Sequence, residues 1–322
     1  MSKTVVVIGS DGYIGHPLCK RLEVVGHTVH RIDIGLWGQR LHPGTRKLGT
    51  VDEQSAAITE WRPDVVVDLA SFAHDTQDRI LPQQMLANNA WRALLLRDRH
   101  CETDWVVLSS LSVHSDTAGY PEAKRVLETI VWGGIPGRGE APKENWRHRR
   151  QTALRHVSIL RPGTVCGVDL EYSHPEQYRR HLLLNKMIFD AITRGEVHVS
   201  VPTLRRPVVI LRYLLSCLVY QVEHCGPRGD VTNVYQTSGT LGEFARAVVS
   251  LCPGTRVVTS DVELKLNDSR DYGWGGLARE WVESFLPPLI EWTHTHKGVL
   301  VDRWDTYYKN VEALCSKPAS LV

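Results

Sequence analysis

Tyr120 and Lys124 stand four residues apart at the end of "SSLSVHSDTAGYPEAK", a stretch that opens with Ser109 and Ser110. On a helix, residues four apart share one face, and Pro121 suits a first helical turn. A phenol with a pKa of about 10 is a poor base at neutral pH. A neighbouring ammonium favours its phenolate form, which can then take a proton from a substrate alcohol. A serine hydroxyl placed beside it would hydrogen-bond the same oxygen. No other Tyr in the chain has a Lys four positions on, but the spacing alone is weak, and its surroundings decide.

The segment "GSDGYIG" supplies the first of those surroundings. Gly9 allows a sharp turn, Gly12 lets backbone approach a pyrophosphate, and Gly15 lets the following helix pack close to a sheet. Tyr13 and Ile14 belong to the same cofactor-binding turn, and the helix N-terminus behind it offers N–H groups and positive dipole to phosphates. Asp33 ends the second predicted strand, where a carboxylate can accept both ribose hydroxyls of an adenosine and would repel a 2′-phosphate. This favours NAD over NADP, although Arg31 and Arg40 lie close by in sequence.

These residues need a frame. "KTVVVIG" (3–9), "HTVHRID" (27–33), "PDVVVDLA" (63–70), "TDWVVLSS" (103–110) and "HVSILRPG" (156–163) read as buried strands. Helical stretches at 14–26, 53–61 and 82–100 separate them. Continuous Val, Ile and Leu runs alternating with helices imply parallel strands covered on both faces, which is a doubly wound α/β Rossmann sheet. Parallel strands share their C-terminal edge, so Ser109 and Ser110 open toward the same crevice as the glycine turn. The helix after Tyr120 is expected to reach about Trp132. Residues 1–167 are expected to form the cofactor domain. Residues 168–322 are expected to form mainly a smaller substrate-binding domain, with 208–240 partly returning to the first sheet.

The composition is that of a globular protein, with 42% apolar and 23% charged residues. A net charge of +2 demands neither nucleic acid nor an anionic membrane as partner. The apolar run at 208–220 carries an Arg and is too short to span a bilayer. Seven scattered cysteines without a CxxC suit reduced thiols in a cytoplasm, and no His pair sits at metal-ligand spacing within a Cys or carboxylate cluster. The basic stretch at 138–150 reads as a solvated loop. His74 and His114 read as structural neighbours of the site, and Trp61, Trp91, Trp105 and Trp132 as core.

With these pieces in order, the chain resembles the extended short-chain dehydrogenase/reductases, specifically the NAD-dependent nucleotide-sugar epimerase/dehydratase family. The resemblance rests on "GSDGYIG", "RID", "VVVDLAS", "NNAWRALLL", "VVLSSLSV", "YPEAK" and "ILRPGTVCG". It implies that Ser110 is the catalytic hydroxyl, Tyr120 the acid/base, and Lys124 the group that orients the nicotinamide ribose. It further implies that Leu69, Ala70 and Ser71 line the cofactor and that Asn89 supports the site. Asn185 and Arg206 are similar to residues that meet a substrate diphosphate. A homodimer through the two helices bounding the central strands is a family expectation.

The departures narrow the reaction. Family members that eliminate water carry an Asp-Glu pair directly after the catalytic Thr, but here those positions are Leu111 and Ser112. The hop from Ser110 to Tyr120 is also short. The expectation is therefore an epimerase of a nucleotide-activated sugar that retains NAD and transiently oxidises a sugar hydroxyl, at C4. The rivals are an NAD(P)H-dependent keto-sugar reductase or dehydrogenase of the same fold and, less favoured, a non-catalytic dinucleotide sensor.

Overall fold

The structure, a computed structural model, describes residues 1–36, 41–72, 81–115, 118–129, 157–179, 182–225, 230–259, 277–300 and 304–315. The basic stretch at 138–150, His74, Arg40 and Trp132 lie outside the described residues. Two compact units divide the chain.

The first unit comprises Met1–Arg161, Leu215–Asn233 and Arg303–Val322. Its strands are β1 (Thr4–Ile8), β2 (Thr28–Asp33), β3 (Thr45–Lys47), β4 (Val65–Asp68), β5 (Asp104–Leu108), β6 (Val157–Pro162) and β10 (Val231–Val234), the last two reaching its boundary with the second unit. They form one sheet in the order β10-β6-β5-β4-β1-β2-β3. The pairings β1/β2, β1/β4, β2/β3, β4/β5 and β5/β6 are all parallel. This is the doubly wound α/β architecture expected from the Val-rich runs, with β10 at one edge of the sheet.

Strand order reverses between β1 and β4, and in such sheets ligands bind outside the carboxyl ends of strands at that switch. Register defines the edge: Ile8, Asp68, Val107 and Ile159 stand on one rung across β1, β4, β5 and β6. The residues that follow β1, β4 and β5, namely Gly9, Leu69, Ser109 and Ser110, therefore leave the sheet on the same side, at which Arg161 lies near the end of β6.

The helices are α1 (Gly15–Val24), α2 (Val51–Trp61), α3 (Pro82–Leu86), α4 (Arg92–Arg99) and α5 (Tyr120–Glu128). The stretch expected as one helix at 82–100 is continuous but not uniform, since α3 passes into α4 through a π turn over Ala87–Trp91. Strand residues Val6, Ile8, Ile32, Val66, Trp105, Val107 and Ile159 pack with Ile58, Leu94, Leu96 and Leu127 in one buried cluster. Trp105 is core as expected. Trp61 is only partly buried, stacking on His30 with Arg46 over its ring.

The helix Trp304–Cys315 belongs to this unit as well. Val311 is buried with Phe72, Met85 and Ala123, a cluster against which Tyr120 packs. Asn310 donates to the Leu36 carbonyl at 2.7 Å.

The second unit, Pro162–Leu214 and Val234–Asp302, holds two small sheets, β11-β9-β7 and β12-β8. These comprise β7 (Thr164–Cys166), β8 (Glu196–Val199), β9 (Arg205–Ile210), β11 (Thr237–Thr240) and β12 (Arg256–Thr259). Helices Leu183–Arg194, Leu241–Leu251 and Arg279–His296 pack on them around Ile188, Val208, Phe244 and Leu286.

Candidate active site

The glycine turn is shaped by close approaches that only glycine permits. Gly9 has φ +83°, and its N–H donates to the Ile32 carbonyl at 2.8 Å. A Cβ there would lie 3.0 Å from the Ala70 nitrogen. At Gly15 a Cβ would fall 2.0 Å from the Gly9 carbonyl oxygen, so α1 can start here only with glycine. No side chain caps α1 and its first turn holds no acidic residue. Tyr13 is buried and Ile14 is the residue that precedes the helix. A backbone cradle emptied of side-chain atoms, at the switch point of a parallel sheet, fits a dinucleotide's pyrophosphate.

Asp33 stands beside this turn. Its carboxylate accepts from the N–H groups of Asp11 at 3.0 Å and Gly35 at 2.7 Å. Burial pushes its pKa above the ordinary value, against the pull of those N–H donors. Asp11 is itself buried and accepts from the His42 N–H at 3.1 Å, so the turn and the chain after β2 are pinned to each other. Arg31 does not reach forward to a ligand position but is buried in an ion pair with Glu23 at 2.6 Å. His16, in the first turn of α1, is brought down to about 4 by burial first and Arg31 second.

Leu69, Ala70 and Ser71 leave β4 toward the same edge, held at both ends. Asp68 and Arg92 form a buried ion pair, Nη2 lying 2.7 Å and 2.9 Å from the two carboxylate oxygens. The same Nη2 donates to the Ala70 carbonyl at 3.0 Å. Asn89 takes the Phe72 N–H at 2.6 Å and donates to the Phe72 carbonyl at 3.0 Å. Asn89 lies within the π turn and Arg92 directly follows it, so one irregular helical segment grips both ends of the loop. π turns recur at functional sites.

Ser109 and Ser110 separate in role. Ser109 is buried and its hydroxyl donates to Glu128 at 2.7 Å. Ser110 is extended, at φ −159° and ψ 149°, and its Oγ accepts the Ser112 N–H at 3.1 Å, opening a 3₁₀ turn over Leu111–His114. Leu111 and Val113 are buried, and His114 closes that turn.

Helix α5 begins at Tyr120 after Gly119, whose φ is +81°, with Pro121 in its first turn. Lys124 is only 2% exposed and donates to the Leu108 carbonyl at 2.8 Å. Its Nζ lies 5.5 Å from the centre of the Tyr120 ring. Burial pulls the ammonium down to about 8, opposed by Asp68, assisted by Arg92 and opposed again by Glu128. Tyr120 and Lys124 therefore share a helix face, and Lys124 reaches the strand that leads into Ser110.

Asn185 and Arg206 lie in the second unit. Asn185 is buried at the start of helix Leu183–Arg194, where it accepts the Gly167 N–H at 2.7 Å and donates to the Arg179 carbonyl at 3.2 Å. Arg206 is half-buried on β9, opposite Gly239 of β11. Reading the sequence did not find Asp68, Arg92, Glu128 or Arg161. The only signal for Glu128 was its helical spacing from Lys124, and its partner lies in another strand.

Comparison with known proteins bears on the family and the fold. The model of the "NAD dependent epimerase/dehydratase family" matches residues 5–131. No curated protein sequence matches the chain. Among solved structures, a UDP-glucose 4-epimerase from Thermotoga maritima with UDP-glucose is 16% identical, over 92% of this chain and 99% of its own, with a TM-score of 0.67. TunA, a novel NAD-dependent NDP-hexosamine 5,6-dehydratase of tunicamycin biosynthesis, is 18% identical over 91% and 98%, at 0.66. WbmF of Bordetella bronchiseptica in complex with NADH is 18% identical over 98% of both chains, at 0.64. Likenesses at this identity establish a shared fold.

Proposed function

We propose that this chain, whose residues 5–131 carry the sequence of the NAD dependent epimerase/dehydratase family, is an NAD-dependent enzyme of nucleotide-sugar chemistry. Within that class we read it as an epimerase that transiently oxidises a sugar hydroxyl, at C4. The observation that carries the reading is Lys124, buried, 5.5 Å from the Tyr120 ring and tied to the carbonyl two residues before Ser110.

NAD fits the residues present. Gly9, Gly12, Tyr13, Ile14 and Gly15 would hold the pyrophosphate. Asp33 would hold the adenosine ribose, Leu69, Ala70 and Ser71 would line the dinucleotide, and Lys124 would hold the nicotinamide ribose. Bound there, NAD⁺ supplies the hydride acceptor that none of these side chains can provide.

The chain's own groups handle the proton. Lys124 as ammonium favours the Tyr120 phenolate, and Tyr120 takes the proton of the sugar hydroxyl. The Ser110 Oγ already accepts the Ser112 N–H, which leaves its own hydrogen to donate to the sugar oxygen. Tyr120 later returns the proton to the same oxygen, as an isomerase requires. Elimination of water needs an acid and a base beyond Tyr120. Leu111 is buried and Ser112 offers only a hydroxyl, so the positions after Ser110 supply no carboxylate.

Two relatives of this fold bear UDP-glucose or NDP-hexosamine in their descriptions, and a nucleotide sugar is the substrate class proposed here. Arg206 would meet its diphosphate. Asn185 would act by fixing the Gly167 and Arg179 backbone. A homodimer and a cytoplasmic location complete the reading. The location is supported by the seven scattered cysteines without a CxxC, a pattern suited to reduced thiols. Among the described residues no helix is long and apolar enough to cross a membrane.

The test is cofactor release. Freshly purified protein is denatured and the freed dinucleotide quantified, alongside UDP-glucose/UDP-galactose interconversion without added cofactor. Stoichiometric NAD supports the epimerase. An empty site combined with turnover that consumes NAD(P)H would transfer the assignment to a keto-sugar reductase.

A further inference from the structure

Behind Ser110, Tyr120 and Lys124 lies a second set of polar residues that the proposed chemistry does not use. Glu128 sits one helical turn beyond Lys124 on α5 and is 9% exposed. Its Oε1 accepts from the Ser109 hydroxyl at 2.7 Å and from Arg161 Nε at 2.8 Å. Its Oε2 accepts from Arg161 Nη2 at 2.5 Å. One carboxylate thus takes three donors from the ends of two neighbouring strands, β5 and β6. The strands are joined to each other there by the Ser109 N–H on the Leu160 carbonyl at 2.8 Å.

This arrangement has a directional consequence. In extended backbone successive side chains point to opposite faces. With Ser109 held against α5, Ser110 is turned the other way, and the Ser112 N–H fixes its Oγ. The guanidinium–carboxylate fork is planar and bidentate, so it fixes orientation as well as distance. Helix α5 is therefore attached to the end of β5 at two points one turn apart, Lys124 on Leu108 and Glu128 on Ser109. Two attachments set both its rotation and its height.

We propose that Glu128 and Arg161 are positioning residues for the catalytic trio, with Ser109 as their link to β5, and that they set the placement of the Tyr120 hydroxyl relative to Lys124 and Ser110. This rests on the reading of Tyr120 as the acid/base. The charged groups that act on Lys124 are Asp68 from β4, Arg92 from α4 and Glu128 from its own helix, while Arg161 from β6 neutralises Glu128.

The experiment is an ultraviolet titration of tyrosinate on the full-length protein saturated with NAD⁺. The Tyr120 signal is isolated by subtracting the same titration of Tyr120→Phe in each background. The backgrounds are wild type, Glu128→Gln, Arg161→Lys and Ser109→Ala. The expected result is a tyrosinate midpoint that rises about tenfold in proton affinity in Glu128→Gln. Ser109→Ala and Arg161→Lys, which each keep part of the network, should show smaller rises. Loss of the Glu128 charge acts on the phenol directly and also through Lys124, whose ammonium Glu128 supports, so Glu128→Gln is read beside Ser109→Ala. Ser109→Ala leaves every charge in place, and an upward shift there is the signature of lost positioning.

A midpoint that stays fixed or falls in the folded variants, with only the melting temperature reduced, overturns the proposal. Ser109→Ala removes one hydroxyl and decides the matter if Glu128→Gln fails to fold. A wild-type Tyr120 that titrates as a free phenol with NAD⁺ bound overturns the acid/base reading itself, and the positioning role with it.

Discussion

The ammonium of Lys124 donates to the carbonyl of Leu108 at 2.8 Å, so the helix that carries Tyr120 is tied to the strand that leads into Ser110. A lysine buried to 2% exposure and hydrogen-bonded to a carbonyl is a costly arrangement for stability alone. Buried and shifted ionisable groups cluster at functional sites, and the proposed role of Lys124 accounts for its place at the open edge of the sheet.

Tyr120→Phe removes the hydroxyl and leaves the ring packed against Phe72, Met85 and Val311. Turnover is expected to fall by roughly 10²–10⁴, the range of general acid–base contributions. The amount of NAD retained on purification should stay unchanged. Steady-state rates and cofactor release on the same preparation check both statements, and undiminished turnover would remove Tyr120 from the chemistry.

Lys124 also predicts a pH signature. Its pKa is lowered from 10.5 in the unfolded chain to about 8 in the fold. Between those values the unfolded chain binds more protons, so stability rises with pH there, and below about 8 the full burial cost is present. Lys124→Met removes this dependence. The melting-temperature difference, variant minus wild type, should therefore shrink steadily from pH 8 to 10. A difference that is flat across that interval contradicts the assignment.

Gly15→Ala places a methyl 2.0 Å from the Gly9 carbonyl oxygen and 2.9 Å from the Ser10 Cα. The atoms it meets are backbone of Gly9 and Ser10, which cannot swing aside as a side chain could. A loss of about 1–3 kcal/mol or more is expected from such overpacking, and displacement of the turn should weaken NAD binding at least tenfold. Thermal melts and a fluorescence titration with NADH read the two effects.

Asp68→Asn leaves the buried Arg92 guanidinium without its counter-charge. Breaking one partner of a buried pair costs about 3–5 kcal/mol. The double replacement Asp68→Leu with Arg92→Met should recover much of that loss while still impairing NAD binding, because the Ala70 carbonyl loses its donor. Denaturant unfolding of the single and double variants measures the coupling. Additive losses would show that the pair does not act as a unit.

The sheet and the glycine turn were legible because they are local patterns. Uninterrupted Val and Ile runs mark strands buried on both faces, and the spacing of Gly9, Gly12 and Gly15 marks a strand-to-helix turn. Tyr120 and Lys124 were legible for the same reason, since helical periodicity brings them to one face. The resemblance singled out Ser110, but no local pattern gave Ser109 its role, because its partner is the carboxylate of Glu128, 19 residues along the chain. Arg161 on Glu128 and Arg92 on Asp68 are choices among many charged residues that no local pattern ranks. The π turn at Ala87–Trp91 was hidden because its sequence still reads as helix. The helix Trp304–Cys315 was hidden because nothing in its composition points to Phe72 or Leu36.

The order in which the chain visits its first unit has a consequence for biogenesis. β6 is made long before β10, the strand that covers its outer side, since the whole Pro162–Leu214 segment and most of a further helix are synthesised in between. At about 5–20 residues per second, the nascent sheet leaves the ribosome with a bare edge for several seconds. An uncovered row of N–H and C=O groups is a template for pairing with another chain. Productive folding in the cell should therefore lean on chaperones, and expression at lowered temperature should raise the soluble yield more than any single stabilising substitution on the surface.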